Sequence, residues 1–499
     1  MAKTLRLADR AAFLITGNGI QSLASMATVM VLTRLLTATQ WGSYKQMWLA
    51  YNAAAPFLLL GIPASVLFFV PRLEAKDRSL FTTQSALLLA AIGTLAAFGL
   101  WAAAPTLAHN WHNPGALPLL RAFAPYPIFA FPLSQVANSL VAQNRHRTAA
   151  LLTALFALTL AAAVVTTAAA TRSRPAAAGL VPVAWAIVVA SAIQLAMGLV
   201  ALASRGGLSR PRLRLDLLGR QLAYSVPIGL SSLVGTVGRQ VGQLLVSLKY
   251  NTAQFAIYTN GAIEVPVLGV MTTAVMSTLM PVLSGMAHRQ ETAAMMRLWH
   301  ESIRKVSLVL FPLFALLFVL AEQAVVFLCS EKYLASVPIF RIYLLLLPLR
   351  TTVYSTVLMA AGETGVLILG SALFLVVITV LTWLLLGWFG MTGAAVAAVL
   401  ATYALGAFLL GMIKRRMALD VRSLFPWRTV NLILLVACLC GAAVWPLTLL
   451  AWNRWAAAAA VVPAYSLLYM LVLWRTGLLT ADDRSLLRRW ASMRVLRGR

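Results

Sequence analysis

The chain has 499 residues, 61% hydrophobic and only 11% charged, with a mean hydropathy of +0.85 and a formal net charge of +27. A soluble globular domain carries about 25% charged residues, so this chain lacks the polar surface to coat a water-facing particle, which excludes a soluble enzyme. The basic excess would point to nucleic acid in a soluble protein; here its placement reads as membrane topology, and no nucleic-acid partner is expected.

Met1–Arg10 is basic, and the apolar stretch after it is long enough to remain as a first membrane helix rather than a cleaved signal. Beyond it the apolar residues fall in blocks. Fourteen hydrophobic segments are expected, near 11–33, 45–70, 80–104, 118–142, 148–170, 179–203, 220–247, 254–283, 303–328, 337–361, 366–386, 391–413, 430–450 and 455–474. Those at 81–104, 151–170, 366–386 and 430–450 run about 20 residues without a charged side chain, the length a helix needs to cross the hydrocarbon core. Lipid offers no partner to backbone amides, so spanning segments are helices or closed barrels. Continuous apolar runs without period-two alternation exclude the barrel. The fold class is therefore all-α and polytopic.

With the amino terminus inside, inner loops and tails hold roughly 29 Lys and Arg and outer loops roughly 7, the asymmetry that fixes orientation during insertion. Both termini are expected on the cytoplasmic side. The longest polar stretches, 204–220, 285–305 and 414–428, leave no room for an extramembrane catalytic domain. Cys438 and Cys440 lie one residue apart in an apolar segment and cannot make a zinc site alone; with Cys329 they read as packing residues. His109 and His112 have helix-compatible metal spacing but no nearby carboxylate, so neither a metal nor a cofactor is expected.

An internal repeat is visible. Gln40-Trp41-Gly42-Ser43-Tyr44 follows the first segment, and Gln254-Phe255-Ala256-Ile257-Tyr258 follows the seventh. Each motif leads into a segment ending in a proline, Pro71 and Pro281, and a weaker echo pairs Arg121 and Pro127 with Arg341 and Pro348. The copies lie six helices apart and share orientation, as in a parallel duplication about an axis normal to the membrane. The expected division is a first six-helix lobe over 1–209, a second over 210–413, and two extra helices with a basic cytoplasmic tail over 414–499. Arg205, Arg210, Arg212, Arg214 and Arg220 form a basic linker between the lobes that insertion alone explains. In the tail, Thr480 reads as an N-cap with Asp482 and Asp483 in the first turn of an interfacial helix.

Ionisable groups inside apolar segments are the candidate functional residues, since a charge at the bilayer centre costs about 2.5–3.5 kcal/mol and usually faces a cavity or a partner. These are Arg121, Arg239, Glu264, Arg341 and Arg350, with Arg34 and Lys45 flanking the first motif nearer the external surface. Arg239 sits between Gly238 and Gly242, where another backbone or a ligand can approach. Buried pairing with Glu264 is the alternative for Arg239, and snorkelling to the interface the alternative for Arg121 and Arg341. A cavity dominated by arginines attracts anions, and guanidinium matches phosphate oxygens bidentately. Glu264, followed by Pro266, is the candidate for a coupling proton or cation.

Leu32-Thr33-Arg34-Leu35-Leu36, the Gln40 motif and Gly387-Trp388-Phe389-Gly390-Met391-Thr392-Gly393-Ala394-Ala395 together resemble the polysaccharide transporter family, the Wzx-type oligosaccharide flippases of the superfamily that also holds MATE exporters and lipid II flippases. Gly238-Arg239 falls where many members carry Asp-Arg, and Ala256 stands where glycine is usual. The resemblance implies two six-helix bundles around a central cavity open alternately to either side of a bacterial inner membrane. It implies translocation, without bond cleavage, of an undecaprenyl-diphosphate-linked glycan from the cytoplasmic to the periplasmic leaflet. Polysaccharide polymerase or export machinery would be further partners, and O-antigen or exopolysaccharide the product. A cation-coupled multidrug exporter of the same fold would need more cavity acids. A membrane glycosyltransferase or polymerase would need carboxylates or a metal for developing charge.

Overall fold

The computed structural model of the chain describes residues 7–174, 176–204, 206–263, 279–280, 282–449, 453–480 and 483. Among them there are helices and turns and no strand. In chain order the helices used below are α1 (Leu7–Leu35), α2 (Ala38–Leu59), α3 (Ile62–Phe69), α4 (Ala75–Asn110), α5 (Ala116–Phe123), α6 (Tyr126–Ala142), α7 (His146–Ala170), α8 (Ala176–Ala203), α9 (Leu215–Lys249) and α10 (Thr252–Gly261). They continue with α11 (Thr292–Val319), α12 (Ala321–Cys329), α13 (Val337–Leu344), α14 (Tyr354–Ala360), α15 (Thr364–Arg416), α16 (Trp427–Val444) and α17 (Arg454–Thr476).

Eight of these are long and apolar enough to cross a membrane, or up to eleven if three bent pairs each make one span. The bends have local causes. Between α2 and α3 the axis turns by 42°, because Leu60 and Gly61 both adopt left-handed backbone angles (φ 41° and 73°) and Pro63 opens the next helix. Between α5 and α6 it turns by 47° at Pro125 and Pro127.

The 53-residue α15 is a hairpin rather than one rod. As a straight helix it would measure about 80 Å, far beyond a hydrocarbon core of about 30 Å. Gly390 breaks it at φ 62°, ψ −145°, a conformation open to glycine, and a Cβ at Gly393 would lie 2.0 Å from the carbonyl oxygen of Leu385. The two arms then pack on each other through Phe374, Ile378 and Ala401, with Ala398 and Leu405 beside them. This matches the expected split into segments at 366–386 and 391–413. The eighth expected segment falls largely on 264–278, outside the described residues, so the count of fourteen stands as an expectation.

The chain packs as two compact units. The first holds 1–274, 325–339 and 368–405. Its interior is a series of apolar clusters along α2, α3, α4, α6 and α9. One is Val66, Val70, Leu80, Phe81 and Leu217; another is Ala55, Ile62, Leu89 and Phe131. Burial of such side chains stabilises by about 25 cal/mol per Å2 in soluble proteins. In lipid the gain comes from close packing, which is why small residues line the tight contacts.

The second unit holds 275–324, 340–367 and 406–499. There Gly441 of α16 packs on Ala315 and Val319 of α11, Tyr465 of α17 donates to the Ala437 carbonyl (3.2 Å), and Tyr469 donates to that of Leu308 (3.3 Å). Arg304 forms a two-pronged ion pair with Asp483 (2.6 and 3.2 Å). Asp483 also accepts from the amide and hydroxyl of Thr480 (3.0 and 2.7 Å), and the Thr480 hydroxyl in turn accepts from the Asp483 amide (3.4 Å), the capping contact expected of Thr480. Burial pushes the Asp483 carboxyl up, but the hydrogen bonds from Arg304 and Thr480 outweigh it and bring its pKa to about 2. The remainder of the expected tail helix lies outside the described residues. On both units large apolar side chains such as Leu95, Trp383, Leu467 and Trp474 are exposed, as hydrocarbon-facing surfaces require.

Candidate functional site

The first motif begins with a capping box. The Thr37 hydroxyl accepts from the Gln40 amide (3.2 Å) and the Gln40 side chain accepts from the Thr37 amide (2.9 Å), which fixes the start of α2. The second motif begins identically: Asn251 accepts from the Gln254 amide (2.9 Å) and Gln254 from that of Asn251 (3.3 Å), opening α10. The two starts touch. A Cβ on Gly42 would sit 2.0 Å from the Thr252 carbonyl oxygen, and the Trp41 indole donates to Asn260 near the far end of α10 (2.8 Å). Ser43 and Gln46 both accept from Asn113, at 2.9 and 2.8 Å. Down α2 runs an aromatic row, Trp41, Tyr44, Trp48 and Tyr51, stacked or edge-on to one another and to Phe123 and Tyr126.

Lys45 is half-buried, its ammonium 4.7 Å from the Trp41 ring centre. Arg34, at the end of α1, donates to the carbonyls of Met30 (2.6 Å), Phe327 (2.8 Å) and Val326 (3.3 Å), so its guanidinium is engaged by backbone. Arg121 is exposed on α5 and lies 5.1 Å from the Trp101 ring. Arg239 is exposed well inside α9 and donates to the Thr236 hydroxyl (3.1 Å). Gly238 beside it faces the Phe374 ring, only 2.7 Å from where a Cβ would be. That ring occupies the room an aspartate would need, a physical reason for the departure from Asp-Arg.

These four cations belong to the first unit; Arg341 and Arg350 belong to the second. Arg341 is half-buried over Phe318 (5.8 Å), with its Nε lacking a partner among the described residues. Arg350 is half-buried on the 3-10 turn Pro348–Thr351. Glu264 lies outside the described residues. No group of three His, Cys, Asp or Glu side chains converges among those described.

A cavity of about 500 Å3 in the first unit is lined by α2, α4 and α6, with Leu49, Tyr51, Phe57, Gly99, Trp111 and Phe131 on its walls. Its lining is apolar and includes none of the six cations.

Two features of the first unit went unread in the sequence. Gln221 bridges Ser65 (3.0 Å) and Ser85 (2.8 and 3.1 Å), tying α9 to α3 and α4 through a buried polar cluster. The basic linker is a strap rather than a tether. Gln84 pairs with both main-chain groups of Arg214 (3.0 and 3.1 Å), Thr83 pairs with Ser209, and Arg214 meets Asp77 and Asp216 at 3.2 and 2.6 Å. Hydrogen bonds from Arg214 hold the Asp216 carboxyl below its ordinary value. A Gln within an apolar run, at 84 and again at 221, was the available signal.

This geometry is built on a familiar scaffold. A sequence profile described as "Polysaccharide biosynthesis protein" matches residues 31–338, well over half the chain. The chain belongs to that family. None of the curated protein sequences compared with it matches. Among solved structures it is similar to the lipid II flippase MurJ in an inward closed conformation, with a TM-score of 0.70 and 14% identity over 92% of this chain and 98% of that one. It is also similar to an inward-facing multidrug resistance MATE family transporter of the MOP superfamily (TM-score 0.61, 14% identity, 80% and 94% covered). A MOP superfamily transporter from Pyrococcus furiosus matches at a TM-score of 0.55 and 14% identity, with 82% and 94% covered. At such identities the likeness is one of fold. The polysaccharide biosynthesis family member described here is thus an integral membrane protein whose fold is that of the lipid II flippase and the MATE transporters.

Proposed function

We propose that this protein flips a lipid-diphosphate-linked oligosaccharide of the undecaprenyl type from the cytoplasmic to the periplasmic leaflet of a bacterial inner membrane, by alternating access. The observation that carries the reading is Arg239, an exposed guanidinium well inside α9, beside Gly238, which is packed on Phe374 and leaves no room for a carboxylate next to it. A diphosphate offers oxygens that match a guanidinium fork, and a charge at this depth is retained where it meets such a partner. Family membership and the flippase-like fold support a lipid-linked cargo. Lys45, Arg121, Arg341 and Arg350 are further candidate contacts for the anionic head group, with Arg34 a lesser one because backbone carbonyls already hold it.

On this reading no bond is broken and no enzyme activity is required. Both termini face the cytoplasm, as the basic inner loops favour. Polysaccharide polymerase or export machinery would act on the product. The test is Arg239→Ala in a strain dependent on this gene. Surface glycan should fall by tenfold or more while the protein still inserts into the membrane, and normal export would reject the assignment.

A further inference from the structure

Two helix ends meet in the first unit, and each is capped from the other. α1 stops at Leu35 and α12 at Cys329, and each leaves terminal carbonyls without partners in its own helix and a partial negative charge at its end. Ends of like sign do not rest together without a cation between them. Here there are two, exchanged reciprocally. Arg34, from α1, reaches the carbonyls of Val326 and Phe327 near the end of α12. Lys332, from the turn after α12, reaches back to the carbonyls of Arg34 (3.2 Å) and Leu36 (2.9 Å) at the end of α1. The exchange joins residues almost three hundred positions apart, so neither chain segment makes it alone.

The turn that delivers Lys332 is under strain. Ser330 sits at φ 81°, ψ 167°, a conformation that L residues rarely adopt, and its buried hydroxyl has no partner among the described residues. A strained residue with an unsatisfied hydroxyl persists where surrounding contacts hold it, and the Arg34–Lys332 exchange brackets it. Next to it Cys329 is buried, with 1% of its surface exposed.

We propose that the Arg34–Lys332 exchange is a latch closing one mouth of the transport path, and that the Ser330 turn is the spring that favours its release. This rests on the alternating-access reading above. The latch joins segments that fall in different sequence-defined lobes, 1–209 and 210–413, which must part for the path to open at that end. Trp41, near the start of α2, and Asn260, near the end of α10, join the same two lobes. By the expected topology this end is external, so the latch would govern release of cargo into the outer leaflet. Its two cations are on hand because both helix termini need them in the closed state. Opening exchanges carbonyl partners for water or for oxygens of the departing head group.

Cys329 supplies the reporter. In a Cys438→Ala, Cys440→Ala background reconstituted in nanodiscs, its reaction with N-ethylmaleimide should be slow in the latched protein. Lys332→Met, which removes the two bonds from Lys332 to the end of α1 but keeps side-chain length, should speed labelling at least tenfold. Ser330→Gly, which relieves the strain, should slow it severalfold. Unchanged labelling in Lys332→Met protein that elutes like the parent would overturn the latch, and faster labelling in Ser330→Gly would overturn the spring. No cargo is present in this assay, so it stands apart from the flippase reading. Absent glycan export with the labelling differences intact would sink that reading and leave the latch in place.

Discussion

The two copies of the internal motif, α2 with its cap at Thr37 and α10 with its cap at Asn251, agree in some respects and part in others. Both begin with a capping box closed by a glutamine at the third helical position. Both bury an aromatic after that glutamine, Trp41 and Phe255, then a small residue, Gly42 and Ala256, and then a tyrosine, Tyr44 and Tyr258. Past that point they diverge. α2 continues to Leu59 carrying Lys45 and a row of aromatics, whereas α10 has at the matching position Thr259, buried and bonded to its own Ala256 carbonyl (3.1 Å). What repeats is the chemistry that starts a helix and lets two starts pack together. What differs is charge, which on the proposed function would serve the cargo rather than the fold.

The most severe way to break this comparison is at Gly42. Its replacement by leucine places a side chain against the Thr252 backbone, which cannot recede without moving the start of α10. A cost of about 3 kcal/mol or more is expected, seen as lost monodisperse protein on size exclusion or a large fall in melting temperature in detergent. A well-folded Gly42→Leu protein would show that the two copies do not rest on each other. Trp41→Phe is milder: it keeps most of the ring but leaves buried Asn260 without its donor, at a cost of about 1–3 kcal/mol. The double variant Trp41→Phe, Asn260→Leu should recover part of that loss, because no buried acceptor is then orphaned. A double variant as unstable as the sum of the singles would mean the hydrogen bond contributes nothing.

Much of the fold could be read from the sequence because its determinants are local. A helix across lipid needs only a run of apolar residues, and the split of α15 into two segments follows from its length and from Gly390. The repeat was legible for the same reason, as two short motifs at a fixed offset. Pairings across the chain were not. Nothing near Gly238 announces that Phe374 fills the space an aspartate would take, and Arg34 reads as a cavity cation until the carbonyls of Val326 and Phe327 are brought to it by α12. Lys332 and Ser330 sit in a loop that sequence reasoning passed over, since a lone loop lysine and a serine carry no periodic signal. The strap at Arg214 was read as topology alone because its partners, Thr83 and Gln84, belong to a helix more than a hundred residues away.

The finest division between the copies concerns their caps. Removing an N-cap side chain costs about 0.5–2 kcal/mol, the larger values arising where the freed amide stays away from water. Gln40 is 6% exposed and its box is partly buried, whereas the bonds between Asn251 and Gln254 are open to solvent. Water can therefore take over the Gln254 amide when Asn251 is truncated, but reaches the Gln40 amide less readily when Thr37 is. Thr37→Ala should cost about 1.5 kcal/mol and Asn251→Ala about 0.5 kcal/mol, measured as the difference in melting temperature between two otherwise identical preparations. Equal shifts would mean that the boxes share their surroundings as well as their geometry. A larger shift at Asn251 would reverse the order and make α10, rather than α2, the start on which the contact between the copies depends.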